Sequence, residues 1–343
     1  MFRKRNAQQL KPTLEERSLW LEKGILRIPL DTPYPVDAVN LVLLLGDPPA
    51  LIDTGLIFPG NMERLQESLA SVDLKIEDIG EIYLTHPHLD HFGLTAQIAK
   101  RSGASVYVWE HCAHRFEDYL DLWEQERPVF IELLSNSGCD GTAISKMAKE
   151  KTQYHSVAEP FEITDTFSVD RPRMIAGKHL CTPMHVPGHS PWCVAFWLEE
   201  SQSMVLGDLV LERITPNPLW YPPNATPPTW QGILAYQSSL QRVLDLPVKA
   251  AIPGHGRGVL EPASILERAL RHQLLRGQRL EILLEGGPKH AFELAGELFG
   301  PALARQALFL VMSEVFRHLD RLIQLEKVEK QTGSCEYYRK IAT

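Results

Sequence analysis

The sequence predicts an α/β body, interrupted once by helices and followed by a helical tail. Three observations carry that expectation. Short β-type runs alternate with amphipathic helical stretches between residues 24 and 258. Residues 110–160 become rich in charges and aromatics and lose the strand pattern. Beyond Glu261 the order is helix, Gly-Gly-Pro, helix, Gly-Pro, helix and two short strands. The expected division is a body over 1–260 with a helical lid at 110–160, then a tail over 261–343 with the outline of a winged helix.

Residues 24–30, 38–46 and 50–53 are apolar runs separated by Pro and by Gly46-Asp47-Pro48-Pro49. Met62, Leu65 and Leu69 share one face, which fits a helix over 60–72. Ile82-Tyr83-Leu84 reads as a buried strand, with a helix at 93–101 and a strand at 104–109 after it. Strands resume at 179–186, 193–199 and 203–207. Prolines 216, 218, 222, 223, 227 and 228 then surround Trp220 and Tyr221. Such a stiff aromatic loop suits the mouth of a substrate pocket. A helix over 230–244 leads to the last strand of the body, 249–252. Tail helices fit 263–284, 291–298 and 302–325, with strands near 327–330 and 335–340 joined at Gln331-Thr332-Gly333-Ser334. In the third helix Leu308, Val311, Met312, Val315, Phe316, Leu319, Leu322 and Ile323 form one apolar stripe. Arg305, Arg317, Arg321 and Gln324 stand off it.

Composition excludes several classes. Of the 343 residues, 44% are hydrophobic and 23% charged, which rules out a disordered or fibrous chain. Lys plus Arg number 35 against 43 Asp plus Glu, so the formal net charge of −8 gives no global field to attract nucleic acid. The tail holds twelve basic and eleven acidic residues, a net of +1, and Glu314, Asp320 and Glu326 dilute its third helix. That is a weak nucleic-acid footprint. The five cysteines are odd in number and form no C-x-x-C pair, so they read as reduced thiols. The basic N-terminus has no apolar segment behind it, and no run is long enough to span a bilayer. We expect a cytoplasmic protein with no membrane association, its oligomeric state open.

The chemistry is concentrated in a few turns. His86, His88, Asp90 and His91 are spaced H-x-H-x-D-H on a loop leaving a buried strand. Neutral imidazole and carboxylate suit zinc, iron or manganese. Four adjacent ligands cannot all reach one ion, so the spacing points to two metals sharing a cleft. His189, Asp208 and His255 each follow a predicted strand, with glycine beside them to turn the backbone sharply. Asp53, in Asp53-Thr54-Gly55, ends the third strand. His111, His114 and Asp118 share one helix face in the insertion and read as a solvated surface; His185 reads as a strand residue.

These ordered motifs resemble the metallo-β-lactamase superfamily, over residues from about 38 to 258. The resemblance implies a four-layer αββα sandwich with the site along one edge of its two sheets. It implies that His86, His88 and His189 hold one metal, that Asp90, His91 and His255 hold the other, and that Asp208 bridges both. Asp53 would lie behind the ligands and orient them. Zinc is the favoured metal, with iron or manganese as alternatives. Two divalent ions against two carboxylates leave a net positive centre, suited to an anionic transition state attacked by a bridging hydroxide. Asp90 would orient that nucleophile or carry its proton to the leaving group. Trp192 and Cys193 stand where many relatives have Gly-His, a departure on the substrate side.

Within the superfamily, the tail looks like that of the β-lactamase-like endoribonucleases and of many bacterial hydrolases. No residues match the glutathione-binding tail of glyoxalase II. Asp208 departs from the zinc β-lactamases proper, and seven ligands exceed what a single-iron persulfide oxidation site uses. The leading expectation is a dinuclear metal hydrolase acting on an ester, thioester or lactone bond of a small metabolite. The alternatives are a metal-dependent endoribonuclease or phosphodiesterase, with RNA as partner, and a metal-containing DNA- or partner-binding regulator.

Overall fold

Alternation along the strands builds the body as a sandwich. A computed structural model describes residues 4–227, 230–333 and 335–341; Pro228 and Ser334, expected in the aromatic loop and the ribbon turn, lie outside them. The first sheet runs β1 (Ile25–Leu30), β2 (Val39–Leu44), β3 (Ala50–Ile52), β4 (Glu81–Tyr83), β5 (Ser105–Trp109), β6 (Asp165–Phe167), in that order across the sheet. The second runs β12 (Val259–Leu260), β11 (Ala250–Pro253), β10 (Ser203–Gly207), β9 (Val194–Leu198), β8 (His179–His185), β7 (Arg173–Ile175). In β9, Val194, Phe196 and Leu198 join the core shared with the first sheet, while Ala195 and Trp197 face the other way. That outer face is covered by α8 (Ile233–Leu244) and α9 (Ala263–Leu283) through Tyr236, Leu240, Leu266 and Ala269. Leu65 and Leu69 of α2 (Asn61–Ala70) and Ile98 of α4 (Thr95–Ser102) cover the first sheet. The result is the expected αββα order of layers. Both faces of β1 and β2 are thus covered, which is why every residue in them is buried.

Strand direction gathers the site. β3, β4 and β5 are parallel, as are β10 and β11. β8 is antiparallel to β9 and β9 to β10, so β8 points the same way as β10 and β11. The turns after β8, β10 and β11 therefore leave one edge of their sheet. Across the gap, the Asn40 amide on β2 donates to the Gly254 carbonyl (2.7 Å). Sequence periodicity did not reveal α1 (Leu14–Glu22), β6, β7 or β12. The three strands are two or three residues long, too short for a period of two to register.

The insertion and the tail pack on each other. The insertion forms α5 (Ala113–Glu117), α6 (Tyr119–Asn136) and α7 (Gly141–Gln153), after the short α3 (Leu89–Phe92) of the body. The tail continues from α9 into α10 (Ala291–Phe299), α11 (Pro301–Gln306), α12 (Leu308–Gln324) and a ribbon of β13 (Val328–Thr332) with β14 (Glu336–Lys340). Phe130 and Leu134 of α6 and Met147 of α7 share one core with Met312, Val315 and Leu319 of α12. The third tail helix expected over 302–325 is two helices, broken at Ala307 (φ −116°, ψ 41°). The apolar stripe of α12 lies in that core, but burial extends beyond it, since Val311 to Leu319 are all buried, including Ser313, Glu314, Arg317 and His318. Glu314 pairs with Arg276 of α9 (2.6 Å), and Arg317 is not on an open face. α9, the insertion and the Pro-rich loop cover the side that sequence alone leaves to water. Among the described residues no helix is long and apolar enough to cross a membrane.

Lys151 reports on this junction. Its ammonium lies 3.3 Å from the ring centre of Phe309 on α12 and 4.8 Å from that of Trp123 on α6. Burial pushes it from 10.5 down to about 7, with Glu126 pulling the other way. Between those values the unfolded chain binds more protons than the folded one, so stability should rise with pH across that window. Lys151→Met should remove the rise, as read by melting temperature from pH 7 to 10. Phe130→Ala, which empties a site between Trp220 and Phe309 (ring centres 5.1 Å away in each case), should cost about 3–5 kcal/mol in denaturant unfolding.

Candidate metal centre

Each side chain of the cluster leaves a strand end or the short helix after one. β3 ends in Asp53, whose φ of 59° is a left-handed conformation that aspartate tolerates better than most residues. β4 feeds His86 and His88, and α3 then presents Asp90 and His91. His189, Asp208 and His255 follow β8, β10 and β11. Gly254 is required by a close approach: a Cβ there would lie 2.1 Å from Asp208 Oδ1 and 2.9 Å from His91 Cε1.

Three overlapping groups could hold a metal ion: His86, His88 and His189; His86, His91 and Asp208; Asp90, His91 and His255. Within each, the potential ligand atoms lie within 4.8 Å of one another. Asp208 Oδ2 is 3.6 Å from both His189 Nε2 and His255 Nε2, and Asp208 Oδ1 is 3.6 Å from His91 Nε2. His255 Nε2 stands 3.3 Å from Asp90 Oδ2. His86 Nε2, His91 Nε2 and Asp208 Oδ1 are buried with no hydrogen-bond partner among the described residues. Buried polar atoms are rarely left so, and these three face one another, as ligands of a cation would.

The hydrogen bonds behind the rings set which nitrogen is free. His189 Nδ1–H donates to the Asn217 carbonyl (2.7 Å), and His255 Nδ1–H donates to the Asp37 carbonyl (2.9 Å). His91 Nδ1–H donates to Asp53 Oδ2 (2.7 Å). Thr85 Oγ1 spends its proton on Asp53 Oδ2 (2.8 Å), so it accepts from His86 Nδ1–H (2.9 Å). In all four rings Nε2 is left for the centre. His88 is oriented differently, with Nδ1 3.1 Å from His189 Nε2 and Nε2 2.7 Å from the Tyr221 hydroxyl.

Electrostatics favour cations. Burial holds His86 and His88 well below the usual imidazole range, reinforced by the neighbouring rings. Burial works the same way on His91 and His255, but Asp53 and Asp208 outweigh it at His91, and Asp208 and Asp90 at His255, so both are raised. Burial alone would push Asp90 and Asp208 up; His255 and His91 reverse that and keep them ionised. The donor set of imidazole nitrogen and carboxylate oxygen fits zinc, iron or manganese.

The profile of the metallo-beta-lactamase superfamily matches residues 34–255. The chain belongs to that superfamily. A probable metallo-hydrolase of Bacillus subtilis, YqjP, is 29% identical over 323 residues, covering 92% of this chain and 98% of that one. The metallo-beta-lactamase family protein TTHA1429 of Thermus thermophilus superposes with a TM-score of 0.78 at 28% identity, over 94% of this chain and all of that one. A beta-lactamase domain protein of Burkholderia ambifaria gives 0.77 at 19% identity, over 93% and 92%, which speaks for the fold alone.

Within this metallo-beta-lactamase fold the structure brings together all seven expected ligand positions, with Asp53 behind His91 and Thr85. Of the two aromatics expected at the pocket, Tyr221 faces His88. Trp220 packs on Phe130 instead, because the α6–α12 core offers it an apolar face. Cys193 is buried and burial pushes its thiol up, so it offers no thiolate. Trp192 is buried edge-on to Tyr221. His111, His114 and Asp118 are exposed, and His185 donates to the Pro191 carbonyl (2.8 Å). Asp37, Asn40, Thr85 and Asn217 were not singled out by sequence. Asn40 left a trace, a lone amide within an apolar strand; it donates to the carbonyls of Pro253 and Gly256, on either side of the His255 turn. Gly254→Ala should lower metal content while leaving the circular dichroism spectrum unchanged, since its new methyl displaces the Asp208 carboxylate.

Proposed function

We propose that the cluster is a dinuclear divalent-metal centre that hydrolyses an ester, thioester or lactone bond of a small metabolite. The observation that carries this reading is the set of three buried, partnerless atoms, His86 Nε2, His91 Nε2 and Asp208 Oδ1, shared among overlapping ligand groups. His86, His88 and His189 would hold one ion and Asp90, His91 and His255 the other, with Asp208 between them. Such ions, when bound, lower the pKa of water and offset charge developing on the substrate. Zinc is the favoured identity. The kinship to a probable metallo-hydrolase of similar length supports hydrolysis as the reaction class.

The chain's own groups have separate tasks. Asp53 and the carbonyls of Asp37 and Asn217 hold the rings of His91, His255 and His189. Asp90, kept ionised by His255 and His91, can accept a proton during attack and return it to the leaving group. His86 and His91 are fully buried while His88 and His189 are only partly so, which favours substrate approach from the side of these two rings.

A phosphodiesterase acting on RNA is the second reading, since the same ligand set suits phosphoryl chemistry. It requires an open basic and aromatic groove beside the metals. Of the two tail arginines suited to that role, Arg321 is half-buried and Arg317 is buried and bonded to the Tyr221 carbonyl. A binding regulator would leave the complete ligand set without a chemical purpose.

Elemental analysis should find close to two metals per chain after loading with zinc, iron or manganese. Asp208→Ala should lower that content and abolish turnover together. In a screen of acyl thioesters, lactones, bis-aryl phosphates and single-stranded RNA, the acyl compounds should be turned over. Metal-dependent RNA cleavage with no acyl hydrolysis would reverse the choice.

A further inference from the structure

The Pro-rich segment is clamped between the metal cluster and α12. On one side, the Leu219 amide donates to the His189 carbonyl (3.0 Å), and the Asn217 carbonyl accepts from His189 Nδ1. On the other, the Asn217 side-chain amide donates to the Leu310 carbonyl in the first turn of α12 (3.1 Å). Four residues further on the arrangement repeats. The Tyr221 hydroxyl meets His88 Nε2 (2.7 Å), while the Tyr221 carbonyl accepts from Arg317 Nη2 of α12 (3.1 Å). The Tyr221 ring is fixed sideways by Trp192, edge-on at 4.9 Å, and by the Arg115 guanidinium of α5, 5.4 Å from its centre. Both clamps end on the same group of three rings, His86, His88 and His189. The Asp90, His91 and His255 group is held by Asp53, Asp37 and Asn40, whose hydrogen bonds among the described residues all stay within the body.

We propose that Tyr221 and Asn217 are positioning residues through which α12 sets the geometry of one metal site and not the other. Resting on the metal-centre reading, this assigns a tautomer to His88. His189 presents the lone pair of Nε2 to the cluster, because its Nδ1 proton is committed to a carbonyl. Were Nδ1 of His88 to carry its proton, that proton would point at His189 Nε2 and close the gap by a hydrogen bond. With the Tyr221 hydroxyl accepting from Nε2–H, His88 Nδ1 is a second lone pair, and the two converge at 3.1 Å. Two lone pairs at that distance repel unless a cation draws on both. Tyr221 thereby keeps His88 open as a ligand, and Arg317 keeps Tyr221 in reach. The tail is then part of the metal site, which a separately folding module would not be.

Tyr221→Phe keeps the ring between Trp192 and Arg115 and removes only the hydroxyl, which serves His88 and also lies beside Ser190. In zinc titrations of the metal-free protein against a chromophoric chelator, one of the two affinities should fall about 10–100-fold, as for other residues that orient ligating histidines, and the other should hold. Cobalt(II) bound at the weakened site should show altered visible bands, and the metal-free melting temperature should not move. Asn217→Ala, which loosens the second clamp without touching Tyr221, should weaken the same site. It decides the matter if Tyr221→Phe melts early. Wild-type affinity at both sites in both variants, or equal weakening of both sites, would overturn the proposal. A wild-type chain that takes up no metal at all would instead overturn the metal-centre reading beneath it.

Discussion

Three carboxylates, those of Asp53, Asp90 and Asp208, are buried among imidazoles at one edge of the sandwich. Removing ionised carboxylates from water costs several kcal/mol each unless positive charge sits among them. Without metal, His91 and His255 answer that charge, since the carboxylates they face raise both above the usual imidazole range. The centre is therefore a place where protons and metal ions compete for the same buried charge. Much of the surrounding structure answers to this constraint. The glycine at 254 leaves room for a carboxylate against the backbone, and backbone carbonyls occupy the far nitrogens of His189 and His255.

The sandwich serves this centre through strand direction. A parallel pair in each sheet sends its following turns from the same end, so residues more than a hundred positions apart arrive together. Asn40 ties the two sheets at that edge, bonding to Pro253 and Gly256 and receiving Arg27 Nη1 (3.0 Å) on its own oxygen. Arg27 is itself buried in β1 and paired with Glu16 of α1 (2.9 Å). A helix that left no clear periodic signal thus helps to hold the turn that carries His255.

The insertion and tail alter what a lid and an appended domain would mean here. Their apolar faces close on each other, and α12 lies between that shared core and the Pro-rich loop. Arg317 illustrates the consequence. Its guanidinium, chemically suited to a phosphate backbone, is enclosed and spent on a loop carbonyl, with Asp320 beside it (3.2 Å). The insertion and the tail accordingly both reach the loop that supports His88 and His189.

The residues of the cluster, the layer order and most strands were legible in the sequence, because each depends on local signals: a motif on a loop, a period of two, a glycine at a sharp turn. His86 to His91, His189, Asp208 and His255 could be named before any contact was known. Asp37 and Asn217 could not, since they act through backbone carbonyls, which every residue possesses and no side chain advertises. The burial of Arg317, the turn of Trp220 onto Phe130 and the break at Ala307 depend on which faces meet across long separations. Periodicity shows that a helix has an apolar face; it does not say how many other elements will cover the rest. Tertiary packing decided that α12 would be enclosed and placed against the loop that reaches His88 and His189.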